Sequence, residues 1–171
     1  MDALTASGRG LRLGALALLV LGGPGCGPDP EPPSPEQEAV FAEAVDAELV
    51  VITATNAMRY QTTRIEAPAG SRVRLVVDNS ATTSPSMVHN VVVLDSADPA
   101  VAERVGRAAA GAADNLPNDP AIVAATPLAG PGERRAVVFT VPPAGEYTFL
   151  CTYPGHFQFM RGTLVSGPPE A

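Results

Sequence analysis

The sequence contains no lysine and no tryptophan, and only 5% of its 171 residues are aromatic. All 11 of its positively charged residues are therefore arginines, and 18 acidic residues give the chain a formal net charge of -7. Nucleic acids and anionic lipid surfaces are bound through clusters of positive charge, so this balance argues against both kinds of partner. It fits a protein that meets a neutral or positively charged partner.

Cysteine and histidine are also scarce, with two of each. Two cysteines are too few for a disulfide framework. They also lie in different surroundings, because Cys26 is in a stretch of glycine and proline while Cys151 is in a run typical of a strand. The length favours a single domain, and the hydrophobic share of 46% is enough for a core, which aliphatic side chains must fill.

The N-terminus has the pattern of a secretory signal peptide, which we predict for residues 1–25. Arg9 and Arg12 precede an apolar run from Leu13 to Leu21. This run is too short to span a bilayer, which takes about 20 apolar residues. A charged region followed by a short apolar region is instead typical of a segment that directs export across the inner membrane. The expected location is the periplasm or the cell envelope.

Cys26 follows this run and resembles the acylated cysteine of bacterial lipoproteins, with the small residue Gly25 directly before it. We therefore predict a lipid anchor at Cys26, and a signal peptide that is cleaved without lipidation is the alternative. Five prolines between residues 27 and 35 favour an extended polyproline conformation. Residues 26–46 are thus predicted to be a stiff linker, or a disordered tail if no lipid is attached.

Residues 47–167 are predicted to form the folded domain, an all-β Greek-key sandwich with a small helical insertion. Short segments rich in β-branched residues alternate with turn signals such as Ala69-Gly70 and the run from Pro142 to Gly145. The predicted strands are Glu48–Thr55, Ser71–Asn79, Met87–Asp95, Glu133–Val141, Glu146–Thr152 and Phe159–Val165.

The helical insertion is predicted after Asp98. This residue can cap a helix N-terminus, Pro99 fits the first position of the helix, and an alanine-rich segment follows. Gly106 and Gly111 weaken the predicted helix. The stretch from residue 115 to residue 131 is rich in proline and glycine and is predicted to be loop.

Four residues of the predicted domain have the spacing of a metal site. Cys151, His156 and Met160 follow the pattern Cys-x4-His-x3-Met, so one tight loop can bring them together, and His89 can close the site from the far side. Copper that shuttles electrons needs ligands acceptable to both Cu(I) and Cu(II). Two imidazoles and one thiolate, with a weak axial thioether, meet that need.

Each of these residues has an ordinary explanation when it is taken alone. A single histidine in a strand is more often structural than a ligand, a buried cysteine is usually an inert small hydrophobic residue, and methionine commonly fills gaps in a core. The combination carries the prediction, because His89 and His156 are the only histidines and Cys151 is the only cysteine of the predicted domain.

The segment from Cys151 to Leu164 resembles the C-terminal ligand loop of azurins and auracyanins, which are members of the cupredoxin family. The segment from Gly145 that leads into this loop, the pair His89-Asn90 and the helical insertion also resemble features of that family. The resemblance covers residues 48–166. It implies one type 1, or blue, copper ion that alternates between Cu(I) and Cu(II), with the ligands His89, Cys151, His156 and Met160.

The resemblance also implies roles for residues around the copper ligands. Asn90 should bond to Thr152 and tie the strand of the first histidine ligand to the ligand loop, although a turn residue is the alternative explanation for Asn90. The backbone N–H groups of Asn90 and Tyr153 should point at the sulfur of Cys151 and stabilise the thiolate. Azurins have a glycine before the first histidine ligand, with its carbonyl oxygen close to the copper, whereas this chain has Val88 there.

Electrons are expected to pass through His156, because a ligand imidazole at the end of a loop can reach the surface. Its neighbours Pro154, Phe157 and Phe159 can form a flat apolar patch for brief contact with a redox partner such as a cytochrome or a respiratory complex. Alternation along the chain indicates that at least one of the two phenylalanines points into the core instead.

Other functions remain open from the sequence. A copper-trafficking cupredoxin would have the same fold without an electron-transfer role, although such sites usually contain clustered methionines and histidines. A copper enzyme needs a second copper site with further histidines, and a dinuclear electron-entry site needs two loop cysteines, so we expect no enzymatic activity. A metal-free sandwich with a disulfide between Cys26 and Cys151 is the remaining alternative.

Overall fold

The computed structural model of the protein describes residues 46–168, which form two sheets and one α-helix. The predicted signal peptide, the predicted lipid anchor at Cys26 and the predicted linker up to residue 45 lie outside the described residues. The strands are β1 Glu48–Thr55, β2 Arg59–Tyr60, β3 Arg64–Pro68, β4 Arg72–Asp78, β5 Val92–Leu94, β6 Ile122–Ala125, β7 Arg134–Thr140, β8 Gly145–Leu150 and β9 Arg161–Gly167. The helix α1 is Pro99–Ala109, and a short 3-10 helix spans Ala113–Asn115.

The two sheets have four and five strands. One has the order β2-β1-β4-β7 and the other the order β3-β9-β8-β5-β6. β1 runs parallel to β4 and β3 runs parallel to β9, while the remaining pairs are antiparallel. Parallel neighbours cannot be joined by a tight turn, so the chain passes from the first sheet to β3 in the second sheet before it returns to β4. The prediction of an all-β sandwich with one small helix is confirmed.

Strand alternation divides the apolar residues between two buried clusters. Val93 of β5 pairs with Phe149 of β8, and both belong to the main core between the sheets. Val92 pairs with Leu150, and both point to the opposite side, where they pack under α1. Because both faces of β5 are buried, its sequence is a continuous apolar run without polar alternation.

The helix α1 begins where the sequence predicts. The Asp98 carboxylate accepts a hydrogen bond from the N–H of Ala100 at 2.8 Å, and Pro99 takes the first helical position. The buried face of the helix consists of Ala102, Val105, Gly106 and Ala109. Glycine inside a helix costs about 1 kcal/mol relative to alanine. No helix within residues 46–168 is long and apolar enough to cross a membrane.

The strand predicted around His89 is shorter in the structure, where only Val92–Leu94 forms β5. His89 itself makes an isolated antiparallel bridge to Ala129. Between the bridge and β5, Val91 is held by Thr126. The Oγ1 of Thr126 accepts a hydrogen bond from the N–H of Val91 at 3.0 Å, and the backbone N–H of Thr126 donates to the Val91 carbonyl at 3.0 Å. The backbone that carries His89 is therefore held by individual contacts and not by a regular ladder.

Sequence patterns do not predict β2, β3 or β6. The last of these corrects the prediction that residues 115–131 are all loop, because Ile122–Ala125 pairs with β5 at the edge of the five-stranded sheet. An apolar run of four residues between prolines and glycines is too short to show a period, so the turn signals around it dominate the prediction.

Candidate metal centre

Three side chains from separate parts of the chain converge where β8 ends. The Nδ1 atoms of His89 and His156 are 3.2 Å apart, and Cys151 Sγ lies 4.0 Å from the first and 3.8 Å from the second. His89 and Cys151 are 0% exposed, and His156 is 5% exposed. In the part of the chain that the structure describes, this is the one cluster of histidine, cysteine or acidic side chains with the geometry of a metal site.

The three distances fit a single metal ion. Three atoms at these separations lie on a circle with a radius of about 2.1 Å. Histidine nitrogen and cysteine sulfur bind a divalent metal ion such as zinc at about 2.0–2.3 Å. One ion in the plane of the three donor atoms can therefore contact all of them without any movement of the side chains.

The loop between β8 and β9 carries three of the four predicted ligands and is held by backbone hydrogen bonds. The N–H of His156 donates to the Tyr153 carbonyl at 3.0 Å, the N–H of Met160 donates to the His156 carbonyl at 2.8 Å, and the N–H of Cys151 donates to the Met160 carbonyl at 2.9 Å. Gly155 has a φ of +82°, a conformation that favours glycine. These bonds bring Met160, which is 0% exposed, next to Cys151 in the main core.

His89 reaches the site from the other side, on backbone that is fixed by a buried amide. Its N–H donates to the Ala129 carbonyl at 3.0 Å, and the N–H of Ala129 donates back at 2.7 Å. The side-chain amide of Asn79, also 0% exposed, donates to the same Ala129 carbonyl at 3.0 Å and to the Met87 carbonyl at 2.7 Å. Nε2 of His89 is buried and has no hydrogen-bond partner among residues 46–168. For Nδ1 of the neutral ring to bind a metal ion, the ring proton must be on Nε2.

Asn90 joins the segment of His89 to the ligand loop. Its Nδ2 donates to Thr152 Oγ1 at 2.8 Å, and the N–H of Thr152 donates to Asn90 Oδ1 at 2.9 Å. The hydroxyl of the buried Tyr60 donates to the backbone carbonyl of Asn90. These contacts fix the two segments that carry the donor atoms relative to each other, as the outer contacts of metal sites generally do.

Burial controls the protonation of the donor groups. It lowers the pKa of His89 to about 4, with a smaller contribution from His156 nearby, and it also lowers the pKa of His156. Burial raises the pKa of the Cys151 thiol to about 11, an effect that the backbone N–H groups of Asn90 and Tyr153 partly oppose. Before it binds a metal at neutral pH, the site thus contains two neutral imidazoles and one protonated thiol.

Metal binding should therefore release one proton above neutral pH. The Cys151 thiol, with its pKa raised to about 11, must lose its proton to bind a metal, whereas both imidazoles are already neutral. The apparent affinity for Cu(I) should rise about tenfold per pH unit from about pH 7 to pH 10. Titration against a competing chelator at several pH values measures this slope. An affinity that does not change with pH would mean that the thiol is not a ligand.

The residues predicted for an apolar patch beside His156 do not all lie on the surface. Pro154 is exposed and Phe159 is 48% exposed, with the guanidinium of Arg59 above its ring at 5.1 Å from the centroid. Phe157 is only 6% exposed and belongs to the buried cluster under α1, so its predicted place in the patch is corrected. The turn after His156 directs the two phenylalanine side chains to opposite sides. We define the apolar patch as Pro154, Gly155 and Phe159.

The remaining predicted neighbours, Val88 and Tyr153, are half-buried, and the ring of Tyr153 lies 4.9 Å from the ring of His156. Two residues that hold the donors, Tyr60 and Asn79, are not predicted from the sequence. Asn79 is a buried amide directly after β4, next to residues typical of a turn, so its pattern resembles an ordinary loop start. Tyr60 lies in a two-residue strand that gives no periodic signal.

The chemistry of the donor set favours copper that changes its oxidation state. One thiolate and two imidazoles, with methionine as the nearby fourth residue, match the trigonal sites with a weak axial thioether that copper electron carriers use. Structural zinc sites usually hold four strong tetrahedral ligands, and only three strong donors converge here. The residues present therefore fit a copper ion.

Known proteins are similar to this chain over most of the described residues. A family model for copper binding proteins of the plastocyanin/azurin family matches residues 47–166. Azurin iso-2 from Methylomonas sp. (strain J) is 38% identical over 120 residues, which are 66% of this chain and 92% of that protein. The structure of dithionite-reduced auracyanin from Roseiflexus castenholzii has a TM-score of 0.64 and 32% identity, over 71% of this chain and 98% of that one. Outer membrane protein H.8 from Neisseria meningitidis serogroup B is 33% identical over 117 residues, which are 63% of this chain and 61% of that protein.

Proposed function

The chain belongs to the plastocyanin/azurin family of copper-binding proteins, and from this we propose that it carries single electrons through one type 1 copper site. The proposed ligands are His89, Cys151, His156 and the axial Met160. Bound copper supplies the Cu(I)/Cu(II) couple. The main support is the geometry of the three strong donors, which are buried and lie on a circle with a radius of about 2.1 Å.

A one-electron carrier works best when its ligands keep their positions in both oxidation states, because rearrangement slows every electron exchange. In this chain, hydrogen bonds within the protein hold the backbone that carries the donors. The amide of Asn79 holds the backbone beside His89, and the paired bonds between Asn90 and Thr152 connect that backbone to the ligand loop. Such preorganisation supports electron transfer as the function.

Burial of the site argues against copper delivery, the alternative with the same fold. A delivery protein must let the ligands of an acceptor protein reach the ion. Here His89, Cys151 and Met160 are fully buried, and His156 is almost so. A copper enzyme is also disfavoured, because the whole chain contains two histidines and both are already in this site. These two histidines leave none for a second histidine-based copper site.

We propose that electrons enter and leave at the apolar patch beside His156. A small apolar surface suits a redox complex that must separate quickly. Without residues 1–25, which contain Asp2, Arg9 and Arg12, the chain has 17 acidic residues and 9 arginines and thus a net charge of -8. This charge adds long-range attraction toward a positively charged partner such as a basic cytochrome, and the attraction should weaken with salt.

The variant Phe159→Glu tests this proposal for electron transfer. It places a charge in the exposed patch without touching a donor atom. We expect the rates of self-exchange and of electron transfer to a basic cytochrome to fall about tenfold or more. The contact loses an aromatic ring and must remove water from a carboxylate, and the control Leu49→Glu adds the same long-range charge. Variants of one interface span one to three decades in association rate. The blue absorption and the reduction potential should stay unchanged. Stopped-flow absorbance and NMR line broadening measure the two rates.

Leu49→Glu is the matched control, because Leu49 is also exposed and apolar, at 52%, but lies at the start of β1, far along the strand from the site. It should leave both rates as they are. Equal rates in Phe159→Glu and Leu49→Glu would refute the patch, and a protein that exchanges no electrons at all would refute the proposed function.

Met160 should tune the potential without being essential for copper binding. Met160→Gln offers a harder oxygen ligand, which favours Cu(II) and should lower the reduction potential while copper stays bound. We expect a fall of at least about 59 mV, the shift that corresponds to a tenfold change in relative affinity for the two oxidation states. Redox titration measures it. An unchanged potential would point to the backbone carbonyl of Val88 as the axial ligand instead.

We further propose that the protein is exported and anchored to a membrane surface at Cys26. The support is the signal-like pattern of residues 1–25 and the similarity to a protein named as an outer membrane protein. One acyl chain binds a membrane only weakly, so stable anchoring implies several chains on this residue. Mass spectrometry of the native protein decides the matter, since a mature N-terminus other than an acylated Cys26 contradicts the anchor.

A further inference from the structure

Gly106 lies in the middle of α1, on the face that packs against the five-stranded sheet. Glycine weakens a helix relative to alanine, so glycine on a buried helical face usually has a packing reason. A Cβ atom at residue 106 would lie 2.3 Å from Cγ of Phe157, and 2.5 Å and 2.7 Å from two further atoms of the same ring. The ring therefore rests directly on the helix backbone, at a distance that no other residue type permits.

Phe157 connects this contact to the copper site, because it directly follows His156 in the ligand loop. It belongs to one buried cluster with Val105 of α1 and with Leu150, the residue before the cysteine ligand. Its backbone carbonyl accepts a hydrogen bond from Nε of Arg161 at 3.1 Å. Residue 157 is thus held through both its side chain and its backbone.

The residues before His156 hold its backbone, because its N–H donates to the Tyr153 carbonyl at 3.0 Å, but their side chains are less buried than that of Phe157. Pro154 and Gly155 are exposed, and Tyr153 is half-buried with its ring 4.9 Å from the imidazole. Phe157 directly follows His156, and its contact with Gly106 is a buried side-chain contact.

We propose that α1 fixes the position of His156 through the contact between Gly106 and Phe157. Both are positioning residues, since they act on the site through the neighbouring imidazole. The inference rests on the proposed copper site and goes beyond it, because it gives the helical insertion a role in metal binding. A side chain at residue 106 must displace the ring, and with it the loop backbone that carries His156.

Gly106→Ala tests this role in the full-length, copper-loaded protein, and Gly111→Ala is the matched control. A Cβ atom at residue 111 meets no atom within 4 Å. We expect Gly106→Ala to lose copper to an excess of chelator about tenfold faster or more, since changes in the outer contacts of metal ligands cost 10–100-fold in metal affinity. Its copper hyperfine splitting in electron paramagnetic resonance should also change. Gly111→Ala should match the unmodified protein, and equal behaviour of the two variants overturns the proposal.

A double-mutant cycle with Phe157→Ala tests whether the effect passes through the ring. Without the ring, alanine at residue 106 has nothing to displace. Gly106→Ala should then accelerate copper loss in the Phe157 background and leave the rate of the Phe157→Ala protein almost unchanged. The same acceleration in both backgrounds overturns the proposal.

Should Gly106→Ala fail to fold, Phe157→Ala can be compared with Leu94→Ala. Leu94 lies in the same buried cluster and is fully buried, but it is on β5 and not in the ligand loop. Phe157→Ala should release copper faster and alter the hyperfine splitting, whereas Leu94→Ala should only lower the melting temperature. Equal copper-loss rates overturn the inference alone. An unmodified protein that does not turn blue with copper instead contradicts the proposed function.

Discussion

Replacement of Cys151 by serine is expected to abolish the intense blue absorption of the oxidised, copper-loaded protein. This absorption arises from charge transfer between a cysteine thiolate and Cu(II), and a serine hydroxyl has no electron pair at a comparable energy. Cys151 Sγ lies within 4.0 Å of both imidazole nitrogens, in a cluster that offers no other sulfur among its strong donors. The expected loss is therefore complete, and the visible spectrum after addition of one equivalent of copper measures it.

Cys26→Ser provides the matched control, because it changes the other cysteine of the chain. It should leave the blue band at full intensity. Cys151→Ser should keep the fold, since serine is slightly smaller and the backbone N–H groups that face the sulfur can bond to its hydroxyl. Circular dichroism checks this point. A blue Cys151→Ser protein with an intact fold would contradict the type 1 copper site.

The ligand loop could be predicted from the sequence because its chemistry is local. Cys151, His156 and Met160 fall within ten residues, so a single turn determines whether their side chains can meet. The prediction of His89 had no such local support and depended on the scarcity of histidine and on the resemblance to known copper proteins. The structure brings His89 to the loop through contacts between distant residues, such as Asn79 with Ala129, fifty positions apart. Contacts of this kind leave no pattern in the sequence, so Asn79 could not be predicted as part of the site.

Two features that the sequence treats separately have one physical cause. Gly106 looks like a weak point of the predicted helix, and Phe157 looks like a possible surface residue beside a ligand. In the structure the ring of Phe157 occupies the space that a side chain at residue 106 would fill. The glycine in the helix and the buried phenylalanine therefore depend on each other. Fifty-one positions separate them, and only the packing of α1 onto the sheet brings them together.

The strand β6 is not predicted from the sequence for a related reason. Its pairing with β5 connects distant residues and overrides the turn signals around it.

Removal of either histidine ligand should abolish the blue colour, and added imidazole should restore it at very different rates. His89→Gly and His156→Gly each open a gap of one imidazole ring, which free imidazole can fill as a ligand for the copper. The gap at residue 156 lies beside the exposed Pro154 and Gly155. The gap at residue 89 lies in a fully buried position, on backbone that is bridged to residue 129. Stopped-flow absorbance at the blue band measures the rate of return after imidazole is added.

We expect the blue colour to return more slowly in His89→Gly, because imidazole can enter the buried gap only after a local opening of the structure. The bridge consists of two hydrogen bonds of 3.0 Å and 2.7 Å, and the amide of Asn79 bonds to one of the same carbonyls. Local opening that costs about 1.4 kcal/mol already reduces the rate of entry about tenfold. The imidazole concentration separates the two cases further, because a rate limited by opening reaches a plateau while entry at residue 156 should rise linearly. Equal rates with the same concentration dependence would mean that the two histidines are equally accessible. A variant that stays blue without imidazole would mean that the missing histidine is not a copper ligand.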